Sequence, residues 1–248
     1  MEALFMNKAD PIVLITGANK GIGFEIAQQL AAKGLIVLVG ARSRQAGEKA
    51  VADLAGDSLD VRHVQIDLND EQSIAEAAKF IEAEFGRLDI LINNAGITDP
   101  DDGPPANVSI QAVRRIFETN LFGTLVVTQA MLPLLRKSDR PQIINQSSGL
   151  GSIQLNKDPD WEFAPFKLFG YCASKAALNM MTVQLASTLA EENIVVNSID
   201  PGFTATDLNN HRGRQSIPEG AAAAISQALN IKGSGNGEFF SATESLPW

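Results

Sequence analysis

Short, continuously apolar segments alternate along this chain with longer segments whose apolar residues recur at helical spacing. The first pair is typical: residues 12–16 read Ile-Val-Leu-Ile-Thr, and Ile22, Ile26 and Leu30 follow with the period of a helix. Continuous apolar strands are characteristic of a parallel sheet buried on both faces, because helices return the chain across the sheet between strands. We therefore predict an α/β fold with a single doubly wound parallel sheet and helices on both faces.

The same pattern predicts the elements and the domain organisation. Predicted strands are 12–16, 35–39, 61–66, 88–92, 142–146, 194–199 and a short last strand at 239–240. Predicted helices follow the first strand up to Gly34 and then cover 45–55, 70–85, 109–135, 171–191 and 218–229. Two segments show no regular pattern: 98–107, rich in Asp and Pro, and 149–170. We predict one domain over residues 1–248, with 1–10 as a short N-terminal extension and 149–170 as an insert near a substrate site.

Composition excludes several classes of function. One Cys and two His in 248 residues are too few for an internal disulfide or a Cys/His metal centre, so we predict no metal. A formal net charge of −9 disfavours binding to nucleic acid or to an anionic membrane surface. No apolar run approaches the roughly 18 residues that span a bilayer, and the N-terminus lacks the pattern of a signal peptide. We therefore expect a cytoplasmic protein.

A glycine-rich turn connects the first strand directly to the first helix. Glycines let a backbone approach a ligand closely, and a helix N-terminus offers unpaired N–H groups and the positive end of the helix dipole. The turn therefore predicts a site for the pyrophosphate of a dinucleotide, and the alternative is a tight turn without a ligand. The predicted contacts are Gly17, Asn19, Lys20, Gly21, Ile22 and Gly23.

The end of the second strand favours NADPH over NADH. An NADH-binding unit carries an acidic residue about 20 positions past the glycines, which binds the adenosine ribose. Residues 40–44 read Gly-Ala-Arg-Ser-Arg and contain no acid. Arg42 can bind a 2′-phosphate that Lys20 also reaches, and two charge-assisted hydrogen bonds of about 1.5–3 kcal/mol each suffice for a ten- to thousandfold preference. The alternative is that Arg42 and Arg44 are solvated loop charges.

A tyrosine and a lysine four residues apart suggest acid–base chemistry. Tyr171 and Lys175 project from one face of a predicted helix, and reduction of a ketone or aldehyde requires a proton at oxygen beside the hydride from the cofactor. One cation about 4 Å away contributes on the order of 4 kcal/mol at an effective dielectric near 20, which would bring the pKa of a phenol from about 10 to about 7. We predict that Lys175 lowers the pKa of Tyr171, that Tyr171 is the general acid in reduction and the base in oxidation, and that Ser148 binds the substrate oxygen. The alternative is a core tyrosine beside a lysine that reaches solvent.

Further motifs follow in a fixed order along the chain. They are Asp67-Leu68, Asn93-Asn94-Ala95-Gly96, Asn120, Ser148, Tyr171-x-x-x-Lys175 and Pro201-Gly202-Phe203-Thr204-Ala205-Thr206. With the glycine turn, this order closely resembles the short-chain dehydrogenase/reductase family, from about Ile12 to the C-terminus. The glycine turn and Arg42 look most like the NADPH-dependent carbonyl reductases of that family. The resemblance implies a Rossmann-type fold and the cofactor NADP(H).

The resemblance also implies roles for individual positions. The implied catalytic residues are Asn120, Ser148, Tyr171 and Lys175. Asn120 would hold a water that links Lys175 to solvent, and Ser148 is preferred over Ser147. The implied cofactor contacts beyond the glycine turn and Arg42 are Asp67 and Leu68 at the adenine, Asn94, Ala95 and Gly96 at the adenosine ribose, Tyr171 and Lys175 at the nicotinamide ribose, and Pro201, Gly202, Thr204 and Thr206 around the nicotinamide and diphosphate. Asn93 is expected to stabilise the sheet.

The insert at 149–170 bears on substrate and assembly. It contains Trp161, Phe163 and Phe166 and is expected to overhang the substrate, which favours an apolar carbonyl or alcohol; the alternative is a self-packed loop. Its intermediate length leaves a dimer, a tetramer and a monomer open. Two other functions stay open: a 3-oxoacyl-carrier-protein reductase, which the net charge disfavours, and a non-catalytic NADP(H)-binding sensor, which the intact set of polar motif residues argues against.

Overall fold

A seven-stranded parallel sheet forms the centre of the molecule. The computed structural model describes residues 10–54, 59–229 and 235–248. The strands are β1 (Ile12–Thr16), β2 (Ile36–Ala41), β3 (Val61–Gln65), β4 (Ile90–Asn93), β5 (Gln142–Gln146), β6 (Val195–Ile199) and β7 (Phe239–Phe240). Their order across the sheet is β3-β2-β1-β4-β5-β6-β7, and every pairing is parallel. The predicted doubly wound, Rossmann-type α/β fold is confirmed, and the predicted strand limits agree with the observed ones within two residues.

Helices cover both faces of this sheet, as predicted. They are α1 (Gly21–Ala32), α2 (Arg44–Leu54), α3 (Glu71–Phe85), α4 (Ile110–Phe117), α5 (Thr124–Leu135), α6 (Ile153–Lys157), α7 (Phe169–Thr188) and α8 (Ile217–Leu229). Alternate residues of β1 enter two separate apolar cores, because successive side chains of a strand point to opposite faces. Val13 and Ile15 pack in the core that α1 and α8 cover, and Ile12 and Leu14 pack in the core that α3 and α5 cover.

The strand order places the site. β1 pairs with β2 on one side and with β4 on the other, so the chain turns away in opposite directions from these two neighbours. A crevice opens at the carboxyl ends of the strands at such a reversal, and ligands of open α/β sheets bind there. The segments that follow β1, β4, β5 and β6 carry the polar motifs, and the parallel sheet brings all four to this edge.

The long helix predicted over 109–135 is interrupted in the structure. A π-helix at Glu118–Gly123 separates α4 from α5. Apolar residues keep their helical spacing through this segment, so the spacing carried no signal for the interruption. It coincides with two tertiary contacts: Gly123 packs closely against the backbone of Leu68, and the Thr119 hydroxyl donates to Asn69 Oδ1 at 3.1 Å. Such π-helical turns are frequent at functional sites.

The two segments predicted to be irregular differ from each other. Residues 98–107 contain no helix or strand, as expected. The 149–170 segment is more regular than predicted, with a 3₁₀ turn at Gly149–Gly151, helix α6 and the first residues of α7. Of the predicted N-terminal extension, residues 1–9 lie outside the described residues. Within the part of the chain that is described, no helix has both the length and the apolar character to cross a bilayer.

Candidate active site

The glycine turn is sterically tight where it meets the end of β4. Gly17 and Gly21 have φ of 65° and 59°, a backbone region that favours glycine. A Cβ on Gly23 would lie 2.5 Å from Asn94 Nδ2 and 2.8 Å from the Gly17 carbonyl oxygen, so a side chain has no room there. Lys20 precedes α1 without a side-chain cap, and the first turn of α1 contains no acid. The first N–H groups of α1 and the positive end of its helix dipole therefore fit an anion such as a pyrophosphate.

Thr16, which sequence reasoning did not single out, holds this turn against the segment after β4. Its hydroxyl oxygen accepts from the backbone N–H groups of Asn94 and Ala95, both at 3.0 Å. In return the Asn94 amide donates to the Thr16 carbonyl oxygen at 2.8 Å and to that of Gly17 at 3.3 Å. The only sequence signal was a hydroxyl at the carboxyl end of an apolar strand.

The two cations predicted at the cofactor lie in different environments. Lys20 Nζ forms an ion pair with Asp207 Oδ2 at 2.6 Å, with both side chains largely exposed. Sequence spacing did not predict this partner. Arg42 is exposed and forms neither a hydrogen bond nor an ion pair with any described residue. It lines an open cleft of about 530 Å³ together with Asp67, which follows β3. Within the described part of the chain, Arg42 is therefore an exposed and unpaired cation beside this cleft.

The two neighbouring serines after β5 have separate surroundings. Ser147 is fully buried and its hydroxyl lies 2.6 Å from Asn179 Oδ1 of α7, inside the protein. Ser148 is half-buried, accepts from the backbone N–H of Leu150 at 3.2 Å, and its hydroxyl lies near enough to the Tyr171 phenol to lower the pKa of that group. This geometry supports the preference for Ser148 as the serine of the site.

Lys175 lies one turn after Tyr171 on α7, at the bottom of the crevice. Its ammonium donates to the Gln146 carbonyl oxygen at 2.7 Å and lies 5.7 Å from the centroid of the Tyr171 ring. A Cβ on Gly96 would be 3.5 Å from the same Nζ atom, so the segment after β4 passes directly beside it. Burial lowers the pKa of Lys175 to about 8.

The electrostatics of Tyr171 differ from the prediction. Burial raises the pKa of the phenol well above its ordinary value, the charge of Asp200 raises it further, and the neighbouring Ser148 hydroxyl opposes both effects. The expectation that Lys175 brings this pKa toward 7 is therefore wrong for this structure. The physical reason is that the phenol loses its hydration on burial, while the ammonium is bound to the carbonyl of Gln146.

Asp200, directly after β6, is a residue of the site that sequence reasoning missed. Its carboxylate accepts from the backbone N–H of Gly202 at 3.0 Å, and a Cβ on Gly149 would lie 3.3 Å from its Oδ2 atom, so it connects the turns after β5 and β6. Burial raises its pKa, and the backbone N–H groups of Gly202 and Gly149 oppose that effect. An acid between an apolar strand and a Pro-Gly pair was the available signal.

Asn120 lies in the π-helix, and its amide joins two parts of the site. Oδ1 accepts from the Ile97 N–H at 2.8 Å, and Nδ2 donates to the Ile97 carbonyl oxygen at 3.0 Å and to Ser174 Oγ at 3.1 Å. The side chain thus connects the segment after β4 with α7. Its predicted role in holding a water stays a prediction. The Asn93 amide donates to Thr128 of α5 and to Asn145 of the neighbouring strand β5, as expected of a structural residue.

The segment after β6 folds back toward the glycine turn. A Cβ on Gly21 would lie 3.9 Å from the Thr206 methyl group, which places Thr206 next to the predicted pyrophosphate site. Thr204 is different: it is buried against Gly220, and its hydroxyl donates to the Pro201 carbonyl oxygen at 3.0 Å. The Thr204 side chain therefore stabilises the segment internally.

Aromatic rings of the insert lie beside the turn Gly149–Gly151 that follows Ser148, here called the serine turn. A Cβ on Gly149 would be 3.3 Å from Trp161 Cζ2. Phe163 contacts Trp161 with ring centroids 5.4 Å apart and Phe203 with centroids 5.6 Å apart, and Phe166 lies 6.2 Å from Phe203. The insert therefore packs on itself and also on the segment after β6, next to the turn that follows Ser148.

Comparisons with known proteins agree with this architecture. The family model described as short chain dehydrogenase matches residues 11–216. The short-chain dehydrogenase anuI of Penicillium roqueforti is 44% identical over 225 residues, which cover 88% of each chain. Carbonyl reductase [NADPH] 3 of Mus musculus is 30% identical and covers 90% of this chain and 92% of its own length.

A solved structure shows the same relationship. The NADPH-bound carbonyl reductase from chicken fatty liver superimposes with a TM-score of 0.83 at 27% identity, covering 96% of this chain and 99% of that one. The sheet order, the glycine turn and the family match together identify the fold and the class of chemistry. This chain belongs to the short-chain dehydrogenase/reductase family, the oxidoreductases that use NAD(P)(H).

Proposed function

We propose that this protein is an NADP(H)-dependent reductase of apolar ketones or aldehydes, with Tyr171 as its general acid and base. The observation that carries the proposal is the group formed by Ser148, Tyr171 and Lys175: the serine hydroxyl lies near enough to the phenol to oppose the rise of its pKa, and the ammonium lies 5.7 Å from the ring centroid. This group lies at the strand edge that also carries the glycine turn. A proton donor beside a hydroxyl that can bind an oxygen is what carbonyl reduction requires of the protein.

The residues divide the work of the reaction as follows. NADPH, when bound, supplies the hydride. The hydroxyls of Ser148 and Tyr171 bind the carbonyl oxygen, and Tyr171 Oη releases its proton to that oxygen as negative charge develops there. Lys175 is the buried cation beside the ring, but its ammonium is bound to the Gln146 carbonyl oxygen and does not lower the pKa of the phenol, so its part in the reaction stays a prediction. The raised pKa of Tyr171 keeps the phenol protonated at neutral pH, which suits reduction.

The preference for NADPH is supported by charge at the end of β2. Residues 40–44 contain no acid that would repel a 2′-phosphate, and Arg42 has no partner among the residues that the structure describes. The Mus musculus relative is named as NADPH-dependent, and the structure from chicken fatty liver contains NADPH. The rings of Trp161, Phe163 and Phe203 beside the serine turn favour an apolar substrate. Oligomeric state and a cytoplasmic location stay predictions.

The test is NADPH consumption with a panel of aromatic, aliphatic and anionic carbonyls, in the wild type and in Tyr171→Phe. We expect turnover with apolar carbonyls, and a loss of at least about a hundredfold in the variant, because phenylalanine retains the ring and removes the only proton donor of this type. NADPH affinity should stay within about threefold. Met180→Ala, at an exposed position on the same helix, is the control.

Two results would count against the proposal. Activity of Tyr171→Phe above about a tenth of wild type would remove Tyr171 from the role of acid. Tight NADPH binding with no consumption across the panel would favour the alternative of a non-catalytic NADP(H)-binding sensor. A preference for small anionic ketones would contradict the apolar substrate.

A further inference from the structure

The start of α7, the helix that carries Tyr171, is not capped by its own preceding residue. Leu168 provides no side-chain hydrogen bond, although the first N–H groups of a helix need partners from outside it. Those partners come from the Asp- and Pro-rich segment 98–107. Phe169 N donates to the Gly103 carbonyl oxygen at 3.0 Å. The next two N–H groups, of Gly170 and Tyr171, donate to Asp102 at 2.8 and 2.9 Å.

We propose that Asp102 is a positioning residue for Tyr171, acting as an N-terminal cap supplied from 68 to 69 residues away in the chain. This inference rests on the proposed role of Tyr171. One carboxylate oxygen binds Gly170 and the other binds Tyr171, so the two oxygens fix both the place and the direction of the first turn. The negative charge also lies at the positive end of the helix dipole, where it is stabilising.

Close packing limits how the segment and the helix meet. A Cβ on Gly170 would lie 2.9 Å from Ile116 Cδ1 and 3.1 Å from Asp102 Oδ1. Only a glycine allows the carboxylate and α4 to approach the helix this closely. Asp102 Oδ1 also accepts from the N–H of Gly103 at 2.8 Å, which sets the orientation of the carboxylate.

The segment that presents Asp102 is itself anchored. Arg115 of α4 binds Asp99 through two hydrogen bonds of 2.7 and 3.1 Å, and the Asp99 carboxylate is almost fully buried. Thr98 donates to the Leu208 carbonyl oxygen at 3.3 Å, so the segment also contacts the chain after β6. Asp102 therefore connects this anchored segment to the backbone N–H of Tyr171, the proposed acid. A displacement of about 1 Å at a reacting group can cost roughly a hundredfold in rate.

The experiment compares Asp102→Ala and Asp102→Asn with Asp101→Ala, a control in the same segment whose side chain is 68% exposed. We expect kcat of Asp102→Ala to fall about 10- to 100-fold while KM for NADPH changes less than about threefold. Asp102→Asn keeps one acceptor oxygen and should fall between Asp102→Ala and the wild type. Asp101→Ala should stay within about twofold of the wild type.

Amide hydrogen exchange supplies a readout that does not depend on activity. Exchange at Gly170 and Tyr171 should become faster in Asp102→Ala and stay unchanged in Asp101→Ala. The inference is overturned by a kcat of Asp102→Ala within about threefold of the Asp101→Ala control, or by unchanged exchange at these two amides. It is also overturned when kcat, KM for NADPH and melting temperature all worsen together in Asp102→Asn, since that pattern shows a general structural role. Failure of the proposed function appears separately, as retained activity in Tyr171→Phe.

Discussion

The glycine-turn side of the crevice and the tyrosine side are built in different ways. The glycine turn is one continuous segment, and its geometry follows from a strand, a tight turn and a helix in succession, locked against Asn94 of the neighbouring strand. On the tyrosine side, Ser148, Tyr171, Asp200 and Asp102 come from four separate segments that hydrogen bonds and close polar contacts bring together. Steric exclusion therefore shapes the first side, and polar bonds across long sequence separations shape the second.

The two sides also differ in how their charges are exposed. Lys20 and Arg42 lie at the surface on the glycine side, where water and salt weaken their interactions. Lys175 is buried on the tyrosine side, and burial shifts its pKa and those of Tyr171 and Asp200. A change of pH should therefore act mainly through the ionisable groups of the tyrosine side. Exchange of NADPH for NADH should act mainly through the cations of the glycine side.

The largest effect is expected from Gly23→Ala, which tests the steric character of the glycine side. The new Cβ would lie 2.5 Å from Asn94 Nδ2 and 2.8 Å from the Gly17 carbonyl oxygen, so the turn must open. We expect NADPH affinity, measured by titration, to fall at least about a hundredfold, the scale of a few kcal/mol of overpacking. Gly103→Ala is the control, because a Cβ there meets open space. Similar affinities in the two variants would refute the steric argument.

Arg42→Ala should have the next largest effect and tests whether exposed charge on the glycine side selects the cofactor. We expect kcat/KM with NADPH to fall about 10- to 100-fold and that with NADH to stay nearly constant, because a charge-assisted bond to phosphate is lost. Arg44→Ala is the matched control, since Arg44 is paired with Glu48 at 2.7 Å. An equal loss with both cofactors, or a wild-type preference for NADH, would contradict the assignment of Arg42.

Asp200→Asn should have the smallest effect and tests whether buried charge controls the tyrosine side. Lys175, Asp200, Ser148 and the thiol of Cys172 are the titratable or polar groups that face Tyr171. Removing the negative charge favours the phenolate, so the pKa of Tyr171 should fall.

Reduction needs the protonated phenol, so the alkaline limb of its pH profile should move to lower pH by about one unit. The rising limb for alcohol oxidation should move the same way. Asp160→Asn, which removes an exposed charge from the insert, should leave both profiles in place. A limb that stays fixed or moves to higher pH in Asp200→Asn would show that this carboxylate acts only through its contacts with the two turns.

Sequence reasoning was most accurate where the deciding contacts are local. The limits of β1 and β5 were predicted to the residue, because each strand contains adjacent apolar residues, Val13 to Ile15 in β1 and Ile143 and Ile144 in β5. The spacing of Tyr171 and Lys175 predicted one helix face, and α7 contains both on successive turns. The pKa of Tyr171 was predicted in the wrong direction, because residue spacing contains no measure of burial or of the direction of a lysine side chain.

By itself, the sequence determined the parallel sheet, the strand-turn-helix at the glycines and the residue types available for proton transfer. These follow from periodicity and from the conformational limits of single residues, which act over a few positions of the chain. Only the tertiary structure decided that Lys20 pairs with Asp207, that the π-helix interrupts the helix at Asn120, that Asp200 joins two turns, and that Asp102 caps the tyrosine helix. These contacts depend on how segments far apart in the sequence pack against each other. A local sequence pattern contains no information on which distant segments will meet.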